Sequence, residues 1–168
     1  MKRILQSILF ILSIYFFNVS ASPVYDRYVA FDTVADDRLG FAVETTSDWV
    51  FTSAIYSDTT ATNSGVVYVY KKEANGNLIY HTTLQPSDIA RNDQFGYSLA
   101  VSGGLLAVGA RNHTATSFVS GAVYLYQFDS AGNFTLIQKI TAQDTDRVSG
   151  FGSAIAMQSQ QMVIGAER

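Results

Sequence analysis

The chain has 168 residues, of which 48% are apolar, 13% aromatic and 15% charged, with 12 glycines, 2 prolines and no cysteine. This composition excludes a disordered chain, a collagen and a disulfide-stapled mini-protein. The formal net charge of -3 provides no positive field for a phosphate backbone, so we expect no nucleic-acid partner.

The first 21 residues have the features of a signal peptide. Basic residues precede a mostly apolar run from Ile4 to Phe17, and small residues follow up to Ala21, which suits a signal peptidase. The run is shorter than the roughly 20 apolar residues of a spanning helix, which disfavours the alternative of an uncleaved anchor. We expect a mature chain that begins at Ser22, has no membrane span, and is secreted, periplasmic or at the cell surface.

Beyond the signal peptide, the sequence repeats itself every 56 residues without a gap. Agreement of glycines and aromatic residues in one ungapped frame is implausible by chance, so we interpret it as an internal repeat. The repeated positions are Leu39-Gly40 with Phe95-Gly96 and Phe151-Gly152, Gly65 with Gly121, Tyr68 and Tyr70 with Tyr124 and Tyr126, and Gly109-Ala110 with Gly165-Ala166.

Within one period the pattern predicts four short strands, at about residues 96–102, 105–110, 121–128 and 134–141. Each is rich in Val, Leu, Ile, Tyr or Phe and is bounded by Gly, Ser, Asn or Asp. Gly103-Gly104 and the segment 131–133 are typical of tight hairpin turns. Each period is therefore predicted to be a four-stranded antiparallel sheet, and its two apolar faces indicate that successive sheets stack.

A four-stranded unit of this length is typical of a β-propeller blade, so we predict an all-β fold. Over about residues 26–168 the repeat resembles the FG-GAP repeats of integrin α-subunit propellers and of many exported proteins. The resemblance rests on the Phe-Gly element at 95–96 and 151–152, more weakly at 39–40, and on the Gly-Ala element at 109–110 and 165–166. Arg111 and Glu167 replace the proline that follows Gly-Ala in the family.

Propellers close with about four to eight blades, more than this chain provides. We expect a lone fourth strand at about 26–34, blades at about 39–85 and 95–141, and a partial blade at about 151–168. This organisation predicts an incomplete propeller, with further repeats or a C-terminal domain downstream. The alternative is a complete protein of about ten strands that folds as a small sandwich or assembles through its edges.

Many FG-GAP repeats hold calcium between their first two strands, but the matching links here are short and nearly uncharged. Because calcium needs several oxygen ligands from a loop of roughly a dozen residues, we expect the calcium-free variety, with no cofactor and no metal ligand. His81 and His113 lack the partners of a zinc site.

No residue carries a catalytic signature, and structural roles account better for the remaining candidates. The carboxylates of Asp36-Asp37 and of Asp144 and Asp146 are expected to cap turns, and the repeated tyrosines to pack between blades rather than stack on sugars. Two sequons, at Asn112 and Asn133, are glycosylation sites if the chain enters a glycosylating lumen.

The longest links, at 55–64, 86–94 and 111–120, are predicted to lie on one face of the blades. Long loops on a rigid scaffold are where binding usually resides. We therefore interpret the chain as a non-enzymatic, exported or cell-surface module for adhesion or capture of an unidentified protein or glycan ligand. The open alternatives are an accessory propeller of an exported hydrolase, with the catalytic part elsewhere, and a structural spacer.

Overall fold

The computed structural model describes residues 34, 36–114, 119–142, 150–159 and 161–167. The predicted signal peptide, all but one residue of the expected strand at 26–34, and the pair Asp144 and Asp146 lie outside the described residues. Within these ranges the chain has ten strands and no helix, which confirms the predicted all-β class.

The strands form two four-stranded sheets and one two-stranded sheet, and every pairing between neighbouring strands is antiparallel. The first sheet has β1 (Leu39–Thr45), β2 (Trp49–Ala54), β3 (Val66–Lys72) and β4 (Leu78–Leu84). The second has β5 (Phe95–Ser102), β6 (Leu105–Ala110), β7 (Ala122–Phe128) and β8 (Phe134–Thr141). The third has β9 (Phe151–Gln158) and β10 (Gln161–Ala166).

The register of the sheets repeats with the offset seen in the sequence. Trp49 pairs with Lys71 between β2 and β3, and the residues 56 positions later, Leu105 and Gln127, pair between β6 and β7. The irregularity after Val69 in β3 likewise has its counterpart in β7. The 56-residue sequence repeat therefore corresponds, residue by residue, to a repeat of the strand pairing. Gly103 and Gly104 close the β5–β6 hairpin with positive φ angles of 57° and 79°, as the turn prediction required.

The main core lies between the first and second sheets. Phe51 of β2 is fully buried and lies 5.6 Å from Phe128 and 6.0 Å from Phe134, measured between ring centroids. Tyr124 and Tyr126 belong to the same cluster and are at most 5% exposed. Their equivalents Tyr68 and Tyr70 are also buried. These four rings therefore pack in the interior, as expected, and form no exposed sugar platform.

Main-chain contacts join each sheet to the next. The amide of Phe95 donates to the carbonyl of Ser64 at 2.8 Å, and the equivalent amide of Phe151 donates to that of Ser120 at 3.0 Å. A Cβ atom at Gly121 would lie 2.1 Å from the carbonyl oxygen of Phe151. This junction accordingly has no room for a side chain at that position.

The first strand of each sheet contacts the first strand of the next, so β1, β5 and β9 form the inner rim of the stack. Three sheets that stack in this way, without closure into a ring in the described part of the chain, are successive blades of an incomplete β-propeller. The predicted fold class is confirmed.

The third sheet leaves apolar surface exposed. Val163 of β10 is 71% exposed, whereas its repeat equivalents Phe51 and Ala107 are fully buried by the neighbouring sheets. Among the described residues β10 pairs only with β9. We expect the full chain to self-associate through this surface, since apolar faces and open strand edges favour pairing with other chains.

Light scattering measures this association, and Val163→Glu should reduce it. Val43→Glu is the matched control, because Val43 is 59% exposed on the inner strand β1. A monodisperse monomer of the unmodified chain would contradict the prediction.

Candidate functional site

Three long links converge on one side of the first two sheets and form what we call the long-loop face. They connect β2 to β3 (residues 55–65), β4 to β5 (85–94) and β6 to β7, where residues 111–114 and 119–121 are described. Main-chain hydrogen bonds join the first two links: the amide of Asn92 donates to Thr62 O at 2.9 Å, and the amide of Gln94 donates to Asn63 O at 3.2 Å. These bonds make the links part of the scaffold.

A buried hydrogen bond between two side chains joins the second link to the third. Nδ1 of His113 lies 2.6 Å from Oδ2 of Asp93, and the two side chains are 5% and 3% exposed. The same carboxylate oxygen accepts the amide proton of Ala90 at 2.8 Å. Because a buried carboxylate must be paired or hydrogen-bonded, this contact holds both links in one arrangement.

The hydrogen-bond network continues outward to Lys139 of β8. The Lys139 ammonium lies 2.7 Å from Nε2 of His113 and 2.6 Å from Oδ2 of Asp88. The other oxygen of Asp88 accepts a hydrogen bond from the Tyr124 hydroxyl at 3.1 Å. An ammonium only donates, so Nε2 must be the acceptor and Nδ1–H must donate to Asp93. His113 thus joins Lys139 to Asp93 through its two ring nitrogens.

The network perturbs the acidity of two groups. Burial would raise the pKa of Asp88, but the hydrogen bond and charge of Lys139, with the Tyr124 hydroxyl, outweigh burial and bring that pKa below its ordinary value of 3.8. Burial raises the pKa of the Tyr124 hydroxyl, and the negative charge of Asp88 raises it further. Tyr124 is therefore a hydrogen-bond donor at neutral pH and has no role as a base.

We expect Lys139→Met to raise the pKa of Asp88, because burial remains while the largest opposing interaction is lost. A folded-state pKa below the unfolded value contributes stability above about pH 4, which is lost as pH falls through the folded pKa. The variant should therefore lose less stability between neutral and acidic pH.

Carboxyl-carbon NMR titration measures the Asp88 pKa, and Lys139→Arg is the control that keeps the charge. An unchanged or lower pKa in Lys139→Met would show that Lys139 is not the cause.

A second cluster lies where the inner strands meet the long-loop face. The guanidinium of Arg111 stands over the ring of Tyr97, with Cζ 4.6 Å from the ring centroid, and Nη1 donates to the Tyr97 hydroxyl at 2.5 Å. Phe41 of β1 packs against the same tyrosine at 5.0 Å between centroids. Nη1 is also 3.5 Å from the carboxylate of Glu167.

Other predicted residues do not join these clusters. His81 lies exposed on β4, where Nε2 is 2.9 Å from the carbonyl oxygen of Gly132 beside a shallow cavity of about 420 Å³. Asp37 caps a turn, since its carboxylate accepts the amide of Val34 at 3.0 Å, as expected. Among the described residues no three His, Cys, Asp or Glu side chains are grouped to hold a metal ion.

The two sequons occupy opposite ends of the second sheet. Asn112 is half-buried beside His113, and its amide donates to the carbonyl of Asp93 at 3.3 Å. Asn133 is exposed in the β7–β8 turn, where its side chain donates to Asp129 at 2.8 Å. Glycosylation of either residue stays a prediction.

Most of the repeated motif residues lie at the junctions between sheets and not on the long-loop surface. A Cβ at Gly109 would lie 2.2 Å from the carbonyl of Gly152, and one at Gly65 would lie 2.2 Å from that of Phe95. The glycine at Gly40 has open space around it. The remaining motif residues are Leu39, Gly96, Ala110, Gly121, Phe151, Gly165 and Ala166, which lie within or directly beside β1, β5, β6, β7, β9 and β10.

Residues 81–126, from β4 through β7, match the family model of the FG-GAP repeat. The chain therefore contains an FG-GAP repeat in this segment, which confirms the resemblance there. Such repeats occur in adhesion and binding proteins and in propeller domains. No curated protein matches the chain. No helix within the described ranges is both long and apolar enough to cross a membrane.

The 56-residue repeat did not predict the interaction partners of His113, Lys139 and Arg111. At equivalent positions the first blade has Ser57, Thr83 and Ile55. The sequence signal that could have identified these residues is the difference in residue type between repeats. A position whose residue type differs among repeats is not required for the packing that the repeats share.

Proposed function

We propose that the chain is an exported or cell-surface binding module that contacts a protein or glycan ligand through the long-loop face and performs no chemistry itself. The FG-GAP segment supports a binding role, since repeats of this kind occur in adhesion and binding proteins. The apolar N-terminal run with its basic start supports export.

The observation that carries the proposal is the immobilisation of the long links. Hydrogen bonds from Asn92 and Gln94 tie the first two together, and the buried pair of Asp93 and His113 ties the third. Residues that point outward from these links, such as Arg91, are held on a fixed surface. A surface fixed before binding avoids part of the ordering cost that a flexible loop would pay.

The export half of the proposal is tested by expression of the full chain in a secretion-competent host. We expect the protein in the medium or periplasm, with Ser22 at its amino terminus by mass spectrometry. Retention of an intact N-terminal segment in the membrane fraction would overturn export by cleavage.

The binding half is tested with the full chain on a glycan array and an array of extracellular proteins. Arg91→Glu changes the charge of an exposed long-loop residue, and Lys71→Glu makes the same change of charge at the opposite end of the first sheet. We expect a bound ligand whose signal falls with Arg91→Glu and survives Lys71→Glu. Absence of binding on both arrays would favour the structural-spacer alternative. An equal loss of binding signal in the two variants would rule out the long-loop face as the binding surface.

A further inference from the structure

Two arginine side chains stack on tyrosine rings where the inner strands open onto the long-loop face. Arg111 follows β6 directly and stands over Tyr97 of β5 at 4.6 Å. Arg38 directly precedes β1 and stands over Tyr56 of the β2–β3 link at 4.5 Å. Two cations thus lie on this rim in a chain whose net charge is -3.

The packing of the blades does not require these residues. Arg111 is equivalent by the period to Ile55, which is 1% exposed in the first blade, and to Glu167 in the third sheet. Tyr97 is equivalent to Phe41 and Ser153. The equivalent position thus holds an apolar side chain in the first sheet, a cationic one in the second and an anionic one in the third. Because blade packing does not fix the residue type there, the side chain can serve recognition.

The Arg111 guanidinium is oriented before any ligand arrives. The Tyr97 ring and hydroxyl hold it, and 30% of the Arg111 side chain remains exposed. The Arg111 guanidinium already attracts one carboxylate, that of Glu167, which lies 3.5 Å from Nη1. The Glu167 side chain is 65% exposed. Such an exposed pair contributes little stability, so a carboxylate from a ligand can replace it.

An apolar surface adjoins the cation. Phe41 is 40% exposed and packs against Tyr97 with a tilt of 49° between the rings. A sugar ring has a C–H face that stacks on such side chains, and in a hexuronate the carboxylate is attached to that ring.

The strand edge beside the cluster disfavours a peptide. Strand register is irregular between Leu39 and Val43 in β1 and between Phe95 and Ser98 in β5, the two intervals that contain Phe41 and Tyr97. Bulges interrupt the hydrogen-bond ladder that an added peptide strand would need. Recognition here must therefore use side chains and ring faces.

We propose that Arg111, Tyr97 and Phe41 bind a hexuronate unit of an acidic glycan, with the carboxylate on Arg111 in place of Glu167 and the sugar ring against Phe41. This inference rests on the proposed binding function and names its ligand class.

The test is titration calorimetry of the full chain with trigalacturonate, its methyl ester and tetraglutamate. We expect binding of the free acid only, weakened at least about tenfold by Arg111→Gln and tightened severalfold by Glu167→Gln, since the latter removes the competing carboxylate. Lys71→Gln, at the other end of the first sheet, should leave the affinity unchanged. Thermal melting establishes whether each variant is folded. If Arg111→Gln does not fold, Glu167→Gln still tests the site.

Binding of the ester or of tetraglutamate with an affinity equal to or higher than that of the free acid overturns the proposal. So does an affinity unchanged by Glu167→Gln. If trigalacturonate does not bind but an array ligand is lost in Arg91→Glu, this inference fails while the proposed binding function stands.

Discussion

Gly96→Ala is expected to lower the free energy of unfolding by about 2 kcal/mol more than Gly40→Ala. The two glycines occupy the same repeat position with nearly the same φ, 91° and 88°, so the backbone strain of an alanine is common to both. A Cβ at Gly96 would lie 2.6 Å from Cβ of Ser53 in the preceding blade, whereas nothing lies within 4 Å of one at Gly40. The difference therefore measures the close approach of two blades.

Urea denaturation of the two variants provides the comparison. Gly40→Ala itself should cost roughly 1–2 kcal/mol, from the unfavourable backbone angle alone. Equal midpoints for the two variants would mean that the junction relaxes around a methyl group and that the blades are not closely packed there.

His113→Ala should destabilise the protein by about 3 kcal/mol, because it leaves the carboxylate of Asp93 buried without its strongest partner. Asp93 is 2% exposed, and the single remaining donor to its carboxylate oxygen is the amide of Ala90 among the described residues. The edge-to-face contact of the imidazole with Tyr124, at 5.9 Å, is lost as well.

The equivalent position in the first blade provides the control. Ser57 is also buried, but among the described residues its hydroxyl is hydrogen-bonded only to the neutral hydroxyl of Thr59, at 2.7 Å, so Ser57→Ala should cost about 1 kcal/mol. Similar losses in the two variants, measured by chemical denaturation, would show that the His113 side chain only fills space and that its hydrogen bond to Asp93 adds no stability.

The strands were predictable because one period contains all the local information that a blade needs. Alternating apolar residues and glycine turns predicted β6 and β8 with the bounds observed, and β7 begins one residue later than expected. At that boundary Gly121 forms a bridge with Phe151 of the next sheet and does not continue the pairing of β7 with β6. The start of β7 is therefore set by a contact between blades, which the local sequence pattern does not encode.

The candidate site was largely hidden from sequence reasoning. The loops were assigned to one face by counting strands, but His113 was assigned no partner, since Asp93 lies 20 positions away and Lys139 lies 26 away on an outer strand. Arg111 stood out only as a replacement for the proline of the family. Periodicity predicts where the backbone goes, while side-chain pairing across loops depends on residues that differ from one copy to the next.

The main-chain bonds from Phe95 to Ser64 and from Phe151 to Ser120 have a consequence for how this protein can change over evolution. Because peptide groups join the blades, the identity of the exposed residues between positions 58 and 62 does not enter the junction. Substitutions there can accumulate and alter what the surface recognises while the inherited scaffold keeps its stability. The same scaffold can thus acquire new ligands without refolding.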